Sequence, residues 1–386
     1  MIGTRTVERA LRVAVAGTGA FGTNHLRVYR ELETSGHGVT LVAALEPNAM
    51  RAAETREKYA IPVFASVDEL LRADLKLDAA SVAVPTVHHH AVAAPLIDAG
   101  LDLLVEKPLA ASLKEADDLM ARAEKATRIL QPGHLERFNP AVLAVEPRLR
   151  RPMFFEAHRL SIFTPRALDV DVVLDLMIHD LDIVLTFANS PVREVRAVGL
   201  PILSPKVDIA NVRVEFESGC VANFTASRVS TERVRKLRFF EPRQYVSIDY
   251  ARQDLLVIRL DPLVASAGLS GGTSGLAAGL SAQTLAPEIA AALAAGKLDP
   301  AALGQRAVES GSTPNPGLNF AKFPVTPGEP LRLEIESFLD SVRTRREPHV
   351  TARQGRNALA LALEIQSSMA AHAVRAGLED FFSPGA

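Results

Sequence analysis

The chain has 386 residues, of which 48% are hydrophobic and 23% are charged, and its formal net charge is −2. A single hydrophobic core rarely grows beyond about 250–300 residues, so this length predicts two domains. The near-zero charge and the lack of a basic block argue against nucleic acid and against a membrane surface as partners. The only cysteine, Cys220, excludes an intramolecular disulfide framework and suits a reducing compartment, with its thiol expected as a buried, small apolar group.

The N-terminal segment carries Arg5, Glu8 and Arg9 before any apolar run, which is unlike a secretory signal peptide. No segment approaches the roughly 18 consecutive apolar residues of a membrane span. We therefore expect a cytoplasmic protein without a membrane partner.

An apolar run over residues 11–15 leads into three glycines spaced G-x-G-x-x-G, and a helical pattern follows over residues 23–33. In such a loop the first glycine allows a tight turn, the second leaves room for a pyrophosphate, and the third lets the helix pack on the strand. A plain turn has glycines too, but here a second apolar run at 39–45 ends on an acid that would accept hydrogen bonds from the adenosine ribose. The order predicts a dinucleotide site formed by Gly17, Thr18, Gly19, Ala20, Phe21, Gly22 and Glu46.

Helical and strand-like segments alternate after this site. The sequence predicts helices at 49–59, 67–73, 91–99 and 113–126, and strands at 63–64, 79–84, 101–105 and 129–130. This alternation predicts a doubly wound parallel sheet, in which ligands bind beyond the carboxyl ends of the strands. The residues that follow those strands should share the cofactor rim: Pro85, Thr86, His89, Glu106, Lys107 and Pro108.

The pattern changes after residue 136. A strand at 153–162 and a helix at 172–187 precede strands at 194–199, 211–216, 220–228, 236–240, 245–249 and 255–260. Consecutive strands without helices between them predict an α+β domain with an open, largely antiparallel sheet. We therefore expect an α/β protein with a cofactor domain at 1–136 and a substrate and oligomerisation domain at 137–386. The second domain contains a low-complexity insertion at 265–330, expected to be a lid, an oligomer contact or a disordered segment, and helices at 331–345 and 352–376.

The sheet of the second domain also bears on assembly. Val212, Val214 and Phe216 alternate with polar neighbours, and the predicted helices suffice to cover only one face of the sheet. Because an antiparallel sheet with a bare apolar face must be covered, we expect a homo-oligomer, a dimer or a tetramer, built sheet to sheet.

The helix at 174–186 is broadly apolar but carries one narrow polar stripe of Asp175, His179, Asp182 and Thr186. A buried acid and a buried histidine need partners or a wet cavity. Either they form a satisfied structural pair, or His179 is a general base that Asp175 orients.

Lys107 follows an apolar strand at the predicted cofactor rim, so it is either a solvated charge or a functional amine. The histidine run His88–His90 does not predict a metal site, because adjacent side chains in an extended chain point apart. We expect no metal cofactor.

Taken together, the motifs resemble the Gfo/Idh/MocA family of oxidoreductases. They occur in that family's order: Gly17–Gly22, Pro85-Thr86 with His89, Glu106-Lys107-Pro108, Gly133–Pro140, and Asp175-x-x-x-His179. The resemblance implies a Rossmann domain that binds NAD, with Lys107, Asp175 and His179 lining the site where substrate meets nicotinamide. It also implies a second domain whose open sheet face packs in dimers or tetramers.

Residues 133–140, 175–182 and 226–240 resemble more closely the UDP-N-acetylglucosamine 3-dehydrogenases, whose product receives a 3-amino group on the way to certain lipid A precursors. This resemblance implies NAD-dependent oxidation at C3 of a nucleotide sugar, with His179 as base, Lys107 on the reacting oxygen and Asp175 orienting the imidazole. The alternatives are another sugar or inositol-like polyol dehydrogenase of the family, and a non-catalytic NAD-binding regulator.

Planar guanidinium groups suit a diphosphate because each can bond two oxygens at once. The candidates for binding the substrate are Arg137, Asn139, Arg159 and Arg166. Alternatively, these arginines are surface residues paired with Asp169 or Asp171.

Overall fold

The computed structural model describes residues 9–164, 170–260 and 318–378. Contacts between residues divide it into two compact units. The first comprises residues up to Asn139, Val173–Thr186 and Gly328–Ser367, and the second Pro140–Val172, Phe187–Pro327 and the residues from Ser368. The N-terminal segment, Arg166 and the expected insertion as far as residue 317 lie outside the described residues.

The first half of the chain alternates strands and helices. The strands are β1 (Leu11–Ala16), β2 (Val39–Leu45), β3 (Val63–Phe64), β4 (Ala79–Val82), β5 (Asp102–Glu106) and β6 (Leu130–Gly133). The helices are α1 (Ala20–Thr34), α2 (Ala49–Tyr59), α3 (Val67–Arg72), α4 (His89–Asp98) and α5 (Leu113–Ala126). The strands form one parallel sheet in the order β3-β2-β1-β4-β5-β6, which confirms the doubly wound fold.

The remaining elements mix the two kinds. The helices are α6 (Pro140–Val145), α7 (Ile178–Ala188), α8 (Pro330–Thr344) and α9 (Ala352–Ala376). The strands are β7 (Phe154–Leu160), β8 (Val192–Leu200), β9 (Ile209–Phe216), β10 (Val221–Ser227), β11 (Val234–Glu241), β12 (Gln244–Asp249), β13 (Asp254–Leu260) and β14 (Leu318–Phe323).

Both faces of the parallel sheet are buried. Val13 and Val15 of β1 belong to one core, with residues of α1 and α8, whereas Ala14 and Ala16 belong to the other, with residues of α4 and α5. All four side chains are at most 1% exposed. Because successive residues of a strand point to opposite faces, a strand covered on both sides needs the continuous apolar run found here.

The second unit contains an eight-stranded sheet in the order β14-β13-β12-β11-β7-β10-β9-β8. Only β7 and β10 pair in parallel, so the sheet is largely antiparallel as expected. Strand β14 was not predicted: its six residues contain no proline or glycine, but they lie between proline- and glycine-rich segments inside the stretch taken as an insertion.

The reasoning that predicted a bare apolar sheet face is wrong. Val212, Val214 and Phe216 are at most 1% exposed within the single chain. The alternate positions carry polar side chains, where Asn211 donates to Thr225 and Arg213 donates to Asn223. The apolar residues of these strands therefore need no second subunit to cover them.

Helix ends follow their sequence signals. Ser66 Oγ accepts a hydrogen bond of 3.2 Å from the amide of Glu69, at the start of α3. Thr351 and Gln354 form a capping box before α9, with each side chain bonded to the other residue's amide at 3.2 and 2.9 Å. In the part of the chain that the structure describes, no helix is both long and apolar enough to cross a bilayer.

Candidate active site

The three glycines between β1 and α1 have three different environments. A Cβ on Gly17 would lie 2.7 Å from the carbonyl oxygen of Ala83, and its φ is +90°. A Cβ on Gly22 would lie 1.9 Å from the carbonyl oxygen of Gly17, whereas a Cβ on Gly19 would meet nothing within 4 Å. Gly17 and Gly22 are therefore needed for the turn and for close packing, and Gly19 leaves the space that a pyrophosphate requires.

Helix α1 begins at Ala20, three residues earlier than the sequence predicted, with Gly19 as its N-cap and no side chain capping it. The first N–H groups of a helix lack intrahelical partners and carry partial positive charge, so they suit an anion. Ala20 is exposed and Phe21 is half-buried, with its ring edge-on to His25 at 5.5 Å. The loop and the start of this helix therefore fit the diphosphate of a dinucleotide.

Glu46 follows β2 and is 3% exposed. Its Oε2 accepts hydrogen bonds of 3.0 Å from both the amide and the hydroxyl of Thr18. Its Oε1 accepts from the amide of Asn48 and from Arg51 Nη2, at 2.9 Å each. Burial raises the pKa of the Glu46 carboxyl, but these donors outweigh it and bring the pKa to about 2, so the group is ionised at neutral pH.

The segment after β4 meets the segment after β5. Pro85 is exposed and Thr86 is half-buried in a short 3-10 turn, Thr86–His88. His89 is 1% exposed, and its ring nitrogens lie 2.9 Å from the carbonyl oxygens of Val84 and Pro108. Burial lowers the pKa of His89 more than these contacts raise it. The buried ring of His89 thus lies between the two segments and contacts both of them.

Lys107 and Asp175 are brought together by the fold. Lys107 follows β5, and its Nζ donates a 2.7 Å hydrogen bond to the backbone carbonyl of Asp175. The same Nζ lies 3.6 Å from Asp175 Oδ1, with side chains 19% and 31% exposed. This ion pair joins groups 68 residues apart in the chain, and both side chains are partly exposed.

Asp175 lies in a π-helical turn, Val173–Met177, directly before α7. The sequence predicted a regular α-helix through residues 172–187, and the structure differs from this prediction by the π-helical turn at its start. π turns widen a helix locally and are frequent at functional sites. His179 is the second residue of α7 and is half-buried.

Sequence reasoning missed the partner of Glu106. His25 of α1 is fully buried, and its Nε2 lies 2.9 Å from Glu106 Oε1. His25 is on the apolar face of α1 next to Leu26 and Tyr29, and a buried histidine on such a face predicts a polar partner. The sequence therefore indicated that His25 needs a polar partner. It did not indicate that the partner is Glu106, because that depends on how α1 packs against β5.

A buried polar cluster lies in the first unit. Arg137 is 1% exposed, and its guanidinium donates to Thr186 Oγ1 at 2.7 Å and lies 3.8 Å from Asp182 Oδ2. His134 Nδ1 lies 4.0 Å from the same carboxylate oxygen, and burial lowers the pKa of His134. Asn139 is 2% exposed and donates to Glu136 Oε2 at 3.2 Å. These contacts favour a structural role for Arg137 and Asn139 over direct contact with a diphosphate.

Arg159 belongs to β7 in the second unit. It is 3% exposed, and its guanidinium carbon lies 5.1 Å from the centre of the Tyr250 ring. This cation–π contact, like the burial, favours a packing role.

Two family models match the chain. The model described as an oxidoreductase family with an NAD-binding Rossmann fold matches residues 11–134, and the Gfo/Idh/MocA C-terminal domain model matches residues 141–243.

Individual proteins are also similar in sequence to this chain. The UDP-N-acetylglucosamine 3-dehydrogenase of Acidithiobacillus ferrooxidans is 37% identical over 246 residues, which are 64% of this chain and 76% of that protein. The scyllo-inositol 2-dehydrogenase (NAD(+)) of Bacillus subtilis is 27% identical over 58% of this chain and 69% of that protein.

Solved structures show the same fold. The structure of the A. ferrooxidans enzyme, GnnA, aligns with a TM-score of 0.74 and 28% identity, covering 97% of this chain and 99% of that one. The WlbA dehydrogenase of Bordetella pertussis, in complex with NADH and UDP-GlcNAcA, aligns with a TM-score of 0.67. At 14% identity over 94% of this chain and 97% of that one, it shows the fold alone.

Proposed function

Because this chain belongs to the Gfo/Idh/MocA family of NAD-binding oxidoreductases, we propose that it oxidises a ring hydroxyl of a nucleotide sugar, at C3 of UDP-N-acetylglucosamine. The A. ferrooxidans relative with that name shares 37% identity with the chain, against 27% for the inositol dehydrogenase of B. subtilis. The substrate class rests on this difference in similarity.

The observation that carries a catalytic role is the contact between Lys107 and Asp175. A lysine that is only a solvated charge would not be 19% exposed and bonded to a backbone carbonyl 68 residues away. The pair lies at the carboxyl end of β5, the edge of a doubly wound sheet where ligands bind. His179 follows Asp175 by four residues on the adjoining helix.

Oxidation of the sugar hydroxyl requires the removal of a hydride and of a proton. A hydride leaves the carbon and a proton leaves the hydroxyl, so that the C–OH becomes a ketone; NAD, when bound, supplies the hydride acceptor. His179 takes the proton as general base. Lys107 holds the reacting oxygen and stabilises the negative charge that develops on it, while Asp175 orients the imidazole and fixes the ammonium group.

The test follows NADH formation with UDP-N-acetylglucosamine, free N-acetylglucosamine, inositol and a set of hexoses. We expect the UDP-sugar to reduce NAD and the free sugar to have a kcat/KM lower by about a hundredfold or more, because the UDP group supplies remote binding energy that positions the sugar. Equal turnover of inositol or free sugar would instead indicate a polyol dehydrogenase. NADH binding without turnover of any substrate would indicate a regulator.

We also propose a homo-oligomer, a dimer or tetramer, formed through the second sheet. The support is an aromatic group on that sheet: Phe240 is 36% exposed, with the rings of Phe154 and Tyr245 at 5.5 and 5.1 Å. A monomeric mass by light scattering at micromolar concentration would contradict it. A cytoplasmic location and a part in lipid A precursor synthesis follow only from the proposed substrate.

A further inference from the structure

The carboxylate of Glu46 is already surrounded by donors of its own chain. An ionised carboxylate offers about four acceptor positions. Four donors meet Glu46 at 2.9–3.0 Å: the amide and hydroxyl of Thr18, the amide of Asn48 and the guanidinium of Arg51. A ribose hydroxyl would have to share or replace one of them, so Glu46 is not a free acceptor.

Arg51 differs from the other donors in its exposure. Its side chain is 49% exposed, whereas that of Glu46 is 3% exposed. A guanidinium has five N–H donors in a planar fork, and the described residues provide a side-chain hydrogen-bond partner for Arg51 only at Glu46. The remaining donors are available at the place where the carboxylate of a dinucleotide fold meets the adenosine ribose.

The pair also changes the local charge. A lone carboxylate after β2 repels the 2′-phosphate of NADP and so selects NAD. Here a guanidinium at 2.9 Å offsets that negative charge. Arginine is moreover the side chain best suited to bind a phosphate with two hydrogen bonds.

We propose that Arg51 is a specificity-determining residue of the cofactor site, and that the Glu46–Arg51 pair, rather than Glu46 alone, sets the discrimination between NAD and NADP. Glu46 holds the guanidinium and disfavours the 2′-phosphate, and Arg51 partly restores affinity for it. The protein therefore prefers NAD but retains measurable affinity for NADP. The proposal concerns the cofactor alone and is independent of which sugar the protein oxidises.

The experiment measures dissociation constants of NADH and NADPH by their fluorescence, for the full chain and four variants. Arg51→Gln should raise the ratio of the NADPH to the NADH constant by about ten- to a hundredfold, the usual worth of a charged hydrogen bond. Arg51→Lys keeps the charge and should raise it less. Glu46→Gln should lower the ratio. Arg72→Gln is the matched control, because Arg72 is an exposed arginine paired with Asp68 at 3.7 Å, and it should leave the ratio unchanged.

Three results would overturn the proposal. One is a ratio of the NADPH to the NADH dissociation constant in Arg51→Gln that stays within about twofold of the ratio in the unchanged protein. Another is an equal loss of affinity for both cofactors, which would indicate contact with the adenine instead of the 2′-phosphate. The third is the same change in Arg72→Gln, which would indicate an effect of net charge. Thermal unfolding of each variant verifies that it is folded. If Arg51→Gln does not fold, the cofactor ratio measured for Arg51→Lys decides whether Arg51 sets the discrimination.

Discussion

Alanine at Gly22 and alanine at Gly19 are expected to differ in their effect on stability, although the two residues are three apart in one loop. At Gly22 the new Cβ would lie 1.9 Å from the carbonyl oxygen of Gly17. Gly17 is itself held, because its amide donates to the carbonyl of Leu45 at 2.8 Å. The obstacle is backbone, so α1 must move away from β1. At Gly19 a Cβ meets nothing within 4 Å, and φ of −64° is open to alanine.

The size of each effect follows from these distances. A carbon and an oxygen atom approach to about 3.3 Å at closest, so Gly22→Ala requires a shift of about 1.4 Å. Overpacking against a fixed obstacle costs about 3 kcal/mol, and alanine regains about 1 kcal/mol in helix propensity, which leaves about 2 kcal/mol of destabilisation. Gly19→Ala should cost less than about 1 kcal/mol, the difference between glycine and alanine at an N-cap.

The two variants should also separate stability from cofactor binding. Gly22→Ala should lower both the urea midpoint and the affinity for NADH, since the helix start is displaced. Gly19→Ala should unfold near the midpoint of the unchanged protein yet bind NADH about tenfold more weakly or worse, because its methyl group occupies the approach of the pyrophosphate. Normal stability of Gly22→Ala would refute the packing argument. Unchanged NADH affinity of Gly19→Ala would refute the placement of the pyrophosphate.

Two further predictions concern the proposed catalytic groups and a buried acid. Lys107→Met and His179→Asn should each lower turnover by about a hundredfold or more with NADH binding nearly intact, and near-normal turnover would remove that residue from the mechanism. Burial, reinforced by nearby carboxylates, raises the pKa of Glu334 well above its ordinary value, so the folded state retains a proton that the unfolded state loses above about pH 4.5. Stability should therefore fall as pH rises through the range between the two pKa values, by up to ~1.4 kcal/mol per pH unit. Urea midpoints measured from pH 5 to 8 should lose this fall in Glu334→Gln but keep it in Glu336→Gln, a half-buried control on the same helix that is paired with Arg332. An identical slope in Glu334→Gln would contradict the assignment.

Parts of the candidate site depended on local signals and were predictable. The spacing of the glycines predicted the roles of Gly17, Gly19 and Gly22. A positive φ, or a position with no room for a Cβ, is a local requirement that glycine meets. The apolar stripe of the helix at 174–186 predicted that Asp175 and His179 lie on a largely buried element. Neither signal indicated that Asp175 would meet Lys107, since that contact joins two segments distant in the chain.

The sequence by itself determined the alternation of strands and helices, and with it the doubly wound sheet. Helices α2, α5 and α9 occupy the predicted ranges, because apolar periodicity, caps and breakers act within a few residues. The tertiary structure alone decided how distant polar groups combine. In the tertiary structure Glu106 contacts a buried histidine 81 residues away, and Glu46 forms an ion pair with Arg51. Glu334 is buried. The tertiary structure also covers the apolar face of the second sheet within one chain. Whether a polar or apolar side chain is buried, and against what, depends on the summed packing of all elements, and no local pattern specifies that.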